Sequence, residues 1–145
     1  MICTFFGHRE CFDLDTNILY HALEQLVQNG VDTFYVGHQG AFDRMVLDAL
    51  KKLQTSFPQI TYLTVLAYLP TGKSSCDMHD GQHIFPEGLE IGPPRFAIER
   101  RNRWMIQQAD HCLCYINHTW GGAYKFAKQA KKKGLTVINL GQVVL

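Results

Sequence analysis

Nothing in this chain is apolar for long enough to read as a membrane span, and nothing in it is strongly charged. Its apolar runs last a few residues, against the roughly 20 that a spanning helix needs. In 145 residues, 14 Lys and Arg stand against 13 Asp and Glu, a net charge of +1. That balance provides no basic footprint for a lipid surface or for non-specific nucleic-acid binding, and it argues against nucleic acid as a partner. Met1 opens directly into Ile2-Cys3-Thr4-Phe5-Phe6, without the cationic stretch of a secretory leader. The 5 cysteines are odd in number and include no Cys-x-x-Cys, so they do not make a disulfide framework and fit a reducing compartment. A cytoplasmic protein without a membrane partner is expected. Repeats, low-complexity tracts and linkers are also missing. So are the usual nucleotide fingerprints. No Gly-x-Gly-x-x-Gly follows the first strand, and Thr71-Gly72-Lys73-Ser74 has Ala67 where a P-loop would place its first glycine.

What is present is apolar residue enough, 46%, for one domain with a substantial core. Strand-like and helix-like segments alternate from end to end. Strands are read at Ile2 to Phe6, Val31 to Val36, Ile60 to Leu69, His111 to Asn117 and Leu135 to Leu140, each rich in β-branched or aromatic residues. Helices are read at about Thr16 to Asn29, Ala41 to Thr55, Arg95 to Ala109 and Trp120 to Lys133. The first has Ile18, Leu19, Ala22, Leu23, Leu26 and Val27 on one stripe, Asp15 or Thr16 as its cap and Gly30 as its stop. This alternation predicts an α/β fold over residues 1–145: a doubly wound, Rossmann-like parallel sheet of about five strands in the order 3-2-1-4-5, with helices on both faces. The stretch from Pro70 to Pro94 has no clear period. At this length it is expected to be a mobile lid.

In such a sheet ligands bind beyond the carboxyl ends of the strands, where the strand order reverses. Three of those ends carry glycine: Gly7-His8-Arg9, Gly37-His38-Gln39-Gly40, and Asn117-His118-Thr119-Trp120-Gly121-Gly122. Glycines there admit a ligand to the backbone, and the helix that follows aims N–H groups at an anion, so phosphate is the natural guest. His8, His38 and His118 should reach one edge. On the third helix Ile98, Met105, Ile106 and Ala109 make an apolar stripe with Asn102 inside it, so that amide must find partners. Arg101 falls at the edge of the stripe, where it could pair with phosphate. Glu99 and Arg103 read as a solvated i,i+4 pair. Cys112 and Cys114 read as buried core. No metal and no obligatory cofactor is expected; Cys76-x2-His79-x3-His83, beside Asp77 and Asp80, has a spacing that zinc accepts, but no evident fourth ligand.

Taken together, Gly7-His8-Arg9, Arg101-Asn102-Arg103-Trp104-Met105, Phe85-Pro86-Glu87-Gly88-Leu89-Glu90 and Gly121-Gly122 give nearly the whole chain a resemblance to the SLOG superfamily. These are the Rossmann-like domains of bacterial DNA-processing proteins and of the "lonely guy" nucleoside-monophosphate phosphoribohydrolases. The chain looks most like a small stand-alone bacterial branch. Gly37 and Asp43 are spaced as in the Gly…Gly-Ile-Asp turn of the DNA-processing relatives, with Ala41 replacing the second glycine. The resemblance implies binding or sensing of a nucleotide or nucleotide-derived ligand by Gly7, His8, Arg9, Gly37, Asp43, Arg101, Asn102, Gly121 and Gly122. In the phosphoribohydrolases an Arg and a Glu carry catalysis. Arg101 matches the Arg, but Lys128 stands where the Glu would be, which removes the carboxylate that hydrolysis needs. A hydrolase would have to draw on Arg101, Asp43, Glu87 or His8 instead, and is the alternative reading. A DNA-binding module is the second alternative. A homo-oligomer is compatible with either.

Overall fold

The computed structural model describes residues 1–68 and 82–145. The elements follow in the order β1 (Ile2–Gly7), α1 (Thr16–Gln28), β2 (Thr33–Val36), α2 (Ala41–Ser56), β3 (Thr61–Val65), β4 (Gln82–Ile84), a 3-10 turn (Pro94–Phe96), α3 (Ala97–Gln108), β5 (His111–Tyr115), α4 (Gly122–Lys133) and β6 (Thr136–Asn139). The strands form one parallel sheet in the order β4-β3-β2-β1-β5-β6. The five expected strands keep their expected order, and a sixth is added at the edge beyond β3. That strand, β4, lies inside the stretch read as an aperiodic lid. With three residues, two of them Gln82 and His83, it has no hydrophobic alternation to announce it; pairing of Leu63 with Gln82 and of Val65 with Ile84 decides it. The lid expectation falls otherwise partly on residues 69–81, outside the described residues.

Alternate residues of a strand face opposite sides, and helices cover both sides of this sheet. Cys3 and Phe5 of β1 and Leu113 of β5 pack with Leu19 and Leu23 of α1 and Phe42, Val46 and Leu50 of α2. Phe6 of β1 and Cys112 and Cys114 of β5 pack on the other side with Met105 and Ile106 of α3 and Phe126 and Ala127 of α4. The cysteines expected to be core are therefore core. Asp15 caps α1 by accepting the Asn17 N–H at 2.8 Å, and Gly30 follows with φ of 102°. Ile18, placed on the apolar stripe by spacing, is instead exposed, because Leu19, Leu23 and Leu26 already fill the buried face. Among the described residues no helix is long and apolar enough to cross a membrane.

The chain goes out from β1 through β2 and β3 to β4 and then returns to the other side of β1 as β5, so the order reverses between β1 and β5. Beyond β6 the carboxyl-terminal segment is tied down by Asn139. Its Oδ1 accepts the N–H groups of Ile116 and Gly141, both at 2.9 Å, and its Nδ2 donates to the carbonyls of Ile116 (3.1 Å) and Val143 (2.6 Å). Gly141 is glycine because a Cβ there would run into the Ile116 backbone. Asn139→Ala should cost about 2 kcal/mol, the loss of several partly buried hydrogen bonds, and should lower the urea midpoint without changing the slope of the transition.

Candidate ligand-binding site

A cavity of about 700 Å³ opens at the carboxyl edge of the sheet, beside the point where the strand order reverses. All nine residues expected to meet a ligand line it: Gly7, His8, Arg9, Gly37, Asp43, Arg101, Asn102, Gly121 and Gly122. The glycines are there for different reasons. The Phe42 ring fills the space a Cβ on Gly7 would take. A Cβ on Gly37 would lie 2.9 Å from Asp43 Oδ2 and 3.1 Å from Arg101 Nη1. Both therefore make room for a neighbouring side chain. Gly121 has φ of 92°, a left-handed conformation, whereas a Cβ on Gly122 would meet nothing within 4 Å.

The floor of the cavity is polar and buried. Arg101 was expected at the stripe's edge with its guanidinium free for an anion. It is instead 2% exposed, donating through Nε to Asn102 Oδ1 at 2.8 Å and through Nη1 to the Val65 carbonyl at 3.1 Å. The reason is that α3 buries Ala97, Arg101, Asn102, Met105 and Ile106 together, so the stripe includes the arginine. Asn102 does find its partner there. Asp43, 8% exposed, accepts the Gln39 N–H at 2.9 Å. Burial pushes its carboxyl up to about 6, against the opposing pull of that N–H and of Arg101. His38, beside Arg101 and His83 and edge-on to Tyr68, is driven down to about 4, first by burial and then by the arginine. It does not join the other two histidines.

The rim is aromatic and wet. His8 and His118, from the ends of β1 and β5, stack with ring centroids 3.6 Å apart, and Trp120 stacks on His118 at 3.9 Å. Sequence spacing could bring the histidines to one edge but could not show their stacking or the part played by Trp120. Glu99 was read as half of a solvated pair; it lines the cavity and receives Lys125 of α4 at 3.0 Å besides Arg103 at 3.5 Å. The Lys125 partner, first of all, holds its carboxyl below the usual range. Of the hydrolase candidates Arg101, Asp43, Glu87 and His8, Glu87 lies exposed in a turn outside the cavity lining; Lys128, at the position of the missing glutamate, is exposed on α4 with its ammonium over the Tyr124 ring.

Two helices start at this cavity, and they differ. At α2, Asp43 supplies a negative charge in the first turn, and the Ala41 N–H is already given to the Arg9 carbonyl at 2.9 Å. At α4 there is no side-chain cap and no acidic residue in the first turn. The partial positive charge of a helix start is thus answered internally at α2 and left open at α4. Of the zinc-spaced residues, Cys76 and His79 lie outside the described residues. His83 is half-buried with Nε2 unpartnered among the described residues, where no cluster of three His, Cys, Asp or Glu side chains is suited to a metal.

A parallel doubly wound sheet with its cavity at the reversal of strand order defines a Rossmann-like protein. No protein-family model and no curated sequence matches the chain. Its fold is similar to that of DNA processing protein A from Helicobacter pylori, solved for its single-stranded DNA binding mode. The TM-score is 0.67 at 15% identity over 99% of this chain and 66% of that one. It is equally similar to DNA processing protein A from Streptococcus pneumoniae, with a TM-score of 0.67 at 15% identity, over 99% of this chain and 51% of that one. The chain thus spans less than two thirds of either. One expectation is corrected by this likeness. A near-neutral charge argues against nucleic acid as a partner, but the fold recurs in a protein solved for how it binds single-stranded DNA. Net charge sums over the whole surface, whereas a strand meets only a local patch.

The buried floor has measurable consequences. Arg101→Ala strands the Val65 carbonyl, Asn102 Oδ1 and the Asp43 charge, and should cost about 2–4 kcal/mol in chemical denaturation. Asp43 is raised from 3.8 to about 6, so its favourable contribution is complete below pH 3.8 and is lost as pH rises through about 6. Relative to Asp43→Asn, the parent should lose on the order of 2 kcal/mol between pH 4 and pH 7. Parallel stability profiles of the two proteins would refute the assignment.

Proposed function

We propose that this chain is a SLOG-type nucleotide-binding protein, holding a nucleotide or nucleotide-derived ligand in the cavity at the sheet's carboxyl edge with its phosphate at the start of α4. The supporting observation is the contrast between the two helix starts. A phosphate brought to α2 would meet Asp43 in the helix's own first turn, whereas the start of α4 offers uncapped N–H groups, the open face of Gly122 and Lys125, whose ammonium Glu99 of α3 holds at 3.0 Å. Recognition rather than hydrolysis is the reading. Asp43 is buried on the Gln39 N–H and Glu99 is bound by two cations, while Glu87 and Lys128 do not reach the cavity.

A unit of single-stranded DNA is the second reading, supported by the Helicobacter pylori protein and its binding mode. Free nucleotide and strand present the same phosphate and base, and they separate on titration. A strand that contacts several phosphates loses affinity steeply with salt, and a mononucleotide does so far less.

Gly122→Asp tests the phosphate position. The new side chain has open space and a carboxylate favours a helix start, so the thermal midpoint should hold or rise slightly. Affinity for a nucleoside monophosphate, measured by calorimetry, should fall at least about ten-fold because the carboxylate occupies the anion's place. Undiminished affinity in the folded variant would remove α4 from the site.

A further inference from the structure

We propose that the outer face of the Trp120 indole is the seat of the ligand's planar base, with His118 and His8 stacked behind it as its support. The proposal rests on the nucleotide reading above and names the part of the ligand that reading leaves open.

Three rings form a column. His8 lies against His118 at 3.6 Å with planes 14° apart, and His118 lies against Trp120 at 3.9 Å with planes 20° apart. The column is held by backbone at each level. The Asn117 N–H donates to His8 Nε2 at 2.9 Å, so that nitrogen carries no proton and the ring is neutral with its hydrogen on Nδ1. His118 Nδ1 lies 3.0 Å from the Trp120 carbonyl, an acceptor only, and so donates to it. The inner ring is thus fixed to the end of β5, and the middle ring is fixed to the residue whose indole it supports.

The outer end of the column is unfinished. Trp120 is 68% exposed, although an indole is among the most costly side chains to leave in water. One side of it is covered by His118; Trp120 also lines the cavity, as does a second aromatic residue, Phe12, which is 90% exposed. A wide, rigid π-face held in this way suits another flat ring. Stacking of a base on such a face is strong and tolerates any base, because every base has a π-face. Trp120 also immediately precedes Gly121, the residue that opens α4. A base on the indole and a phosphate at the helix start are therefore adjacent along the chain, as they are within one nucleotide. A sugar phosphate would use the helix and leave the indole bare.

The chain has 2 tryptophans, and the other, Trp104, is half-buried against Tyr35 at 5.3 Å. In a Trp104→Phe background the emission reports Trp120 alone. The protein is titrated with adenosine 5′-monophosphate, with ribose 5-phosphate and with a 15-residue oligothymidylate. Adenosine 5′-monophosphate should quench Trp120 and bind at least ten-fold more tightly than ribose 5-phosphate. Measured by calorimetry, because these variants lack the reporting indole, Trp120→Ala should abolish that preference and Trp120→Phe should retain most of it. If only the oligothymidylate binds, and binds through Trp120, the base seat stands and a strand is its source. If ribose 5-phosphate binds the parent as tightly as the nucleotide, or if Trp120→Ala leaves the preference intact, the base seat is overturned while the phosphate site survives. If none of the three binds, both are overturned.

Discussion

The carboxyl edge of this sheet is arranged around one buried cation. The Arg101 guanidinium reaches from α3 to the last carbonyl of β3, holds Asn102 on its own helix, and lies with Asp43 against the place where Gly37 lacks a side chain. A charge this deep is costly unless its hydrogen-bonding groups are used and an opposite charge is near. The surrounding residues follow from that need. Gly37 has no Cβ to clash with it, Asp43 is drawn in from α2 despite its own burial, and His38 beside it is kept neutral.

The same requirement separates the cavity into two regions. Its floor is formed by groups that already hold partners inside the protein, Arg101 on Asn102 and the Val65 carbonyl and Asp43 on the Gln39 N–H. Its rim keeps unspent capacity: an uncapped helix start, a lysine shared with Glu99 and an indole facing water. Recognition at the rim on a rigid floor is a common division in binding sites, since a floor that is already hydrogen-bonded holds the rim groups in place without being rearranged by the ligand. The first turn of α2 belongs to the floor and that of α4 to the rim, although each helix follows a glycine, Gly40 or Gly121.

Much of this was readable from local pattern. The stripe Leu19, Leu23, Leu26 announces α1, and the alternation of β and α segments announces a parallel sheet whose reversal lies beside β1. That Gly7, His8, Arg9, Gly37 and Gly121 line one cavity also follows, because they sit just at or beyond strand ends and strand ends are visible in the sequence. Arg101 was misplaced because helical spacing ranks a residue by its angle on the wheel, and an arginine near the edge of a stripe is ordinarily turned outward. The partner that turns it inward, the carbonyl of Val65, belongs to a strand far away in the chain.

By itself the sequence determined the periods, the breaks and the residue types available at each strand end, because these depend on neighbours within one or two turns of chain. Tertiary structure alone decided which of those residues touch. Register between β1 and β5, Gly7 against Tyr115, sets His8 beside the loop that holds His118, and packing of α3 beside α4 brings Glu99 to Lys125. It also added β4, whose three residues have too little pattern to be a strand except beside β3. The stack of His8 on His118 and the pair of Glu99 with Lys125 act over a few ångströms between groups far apart in the chain, so no short window along the sequence contains both partners.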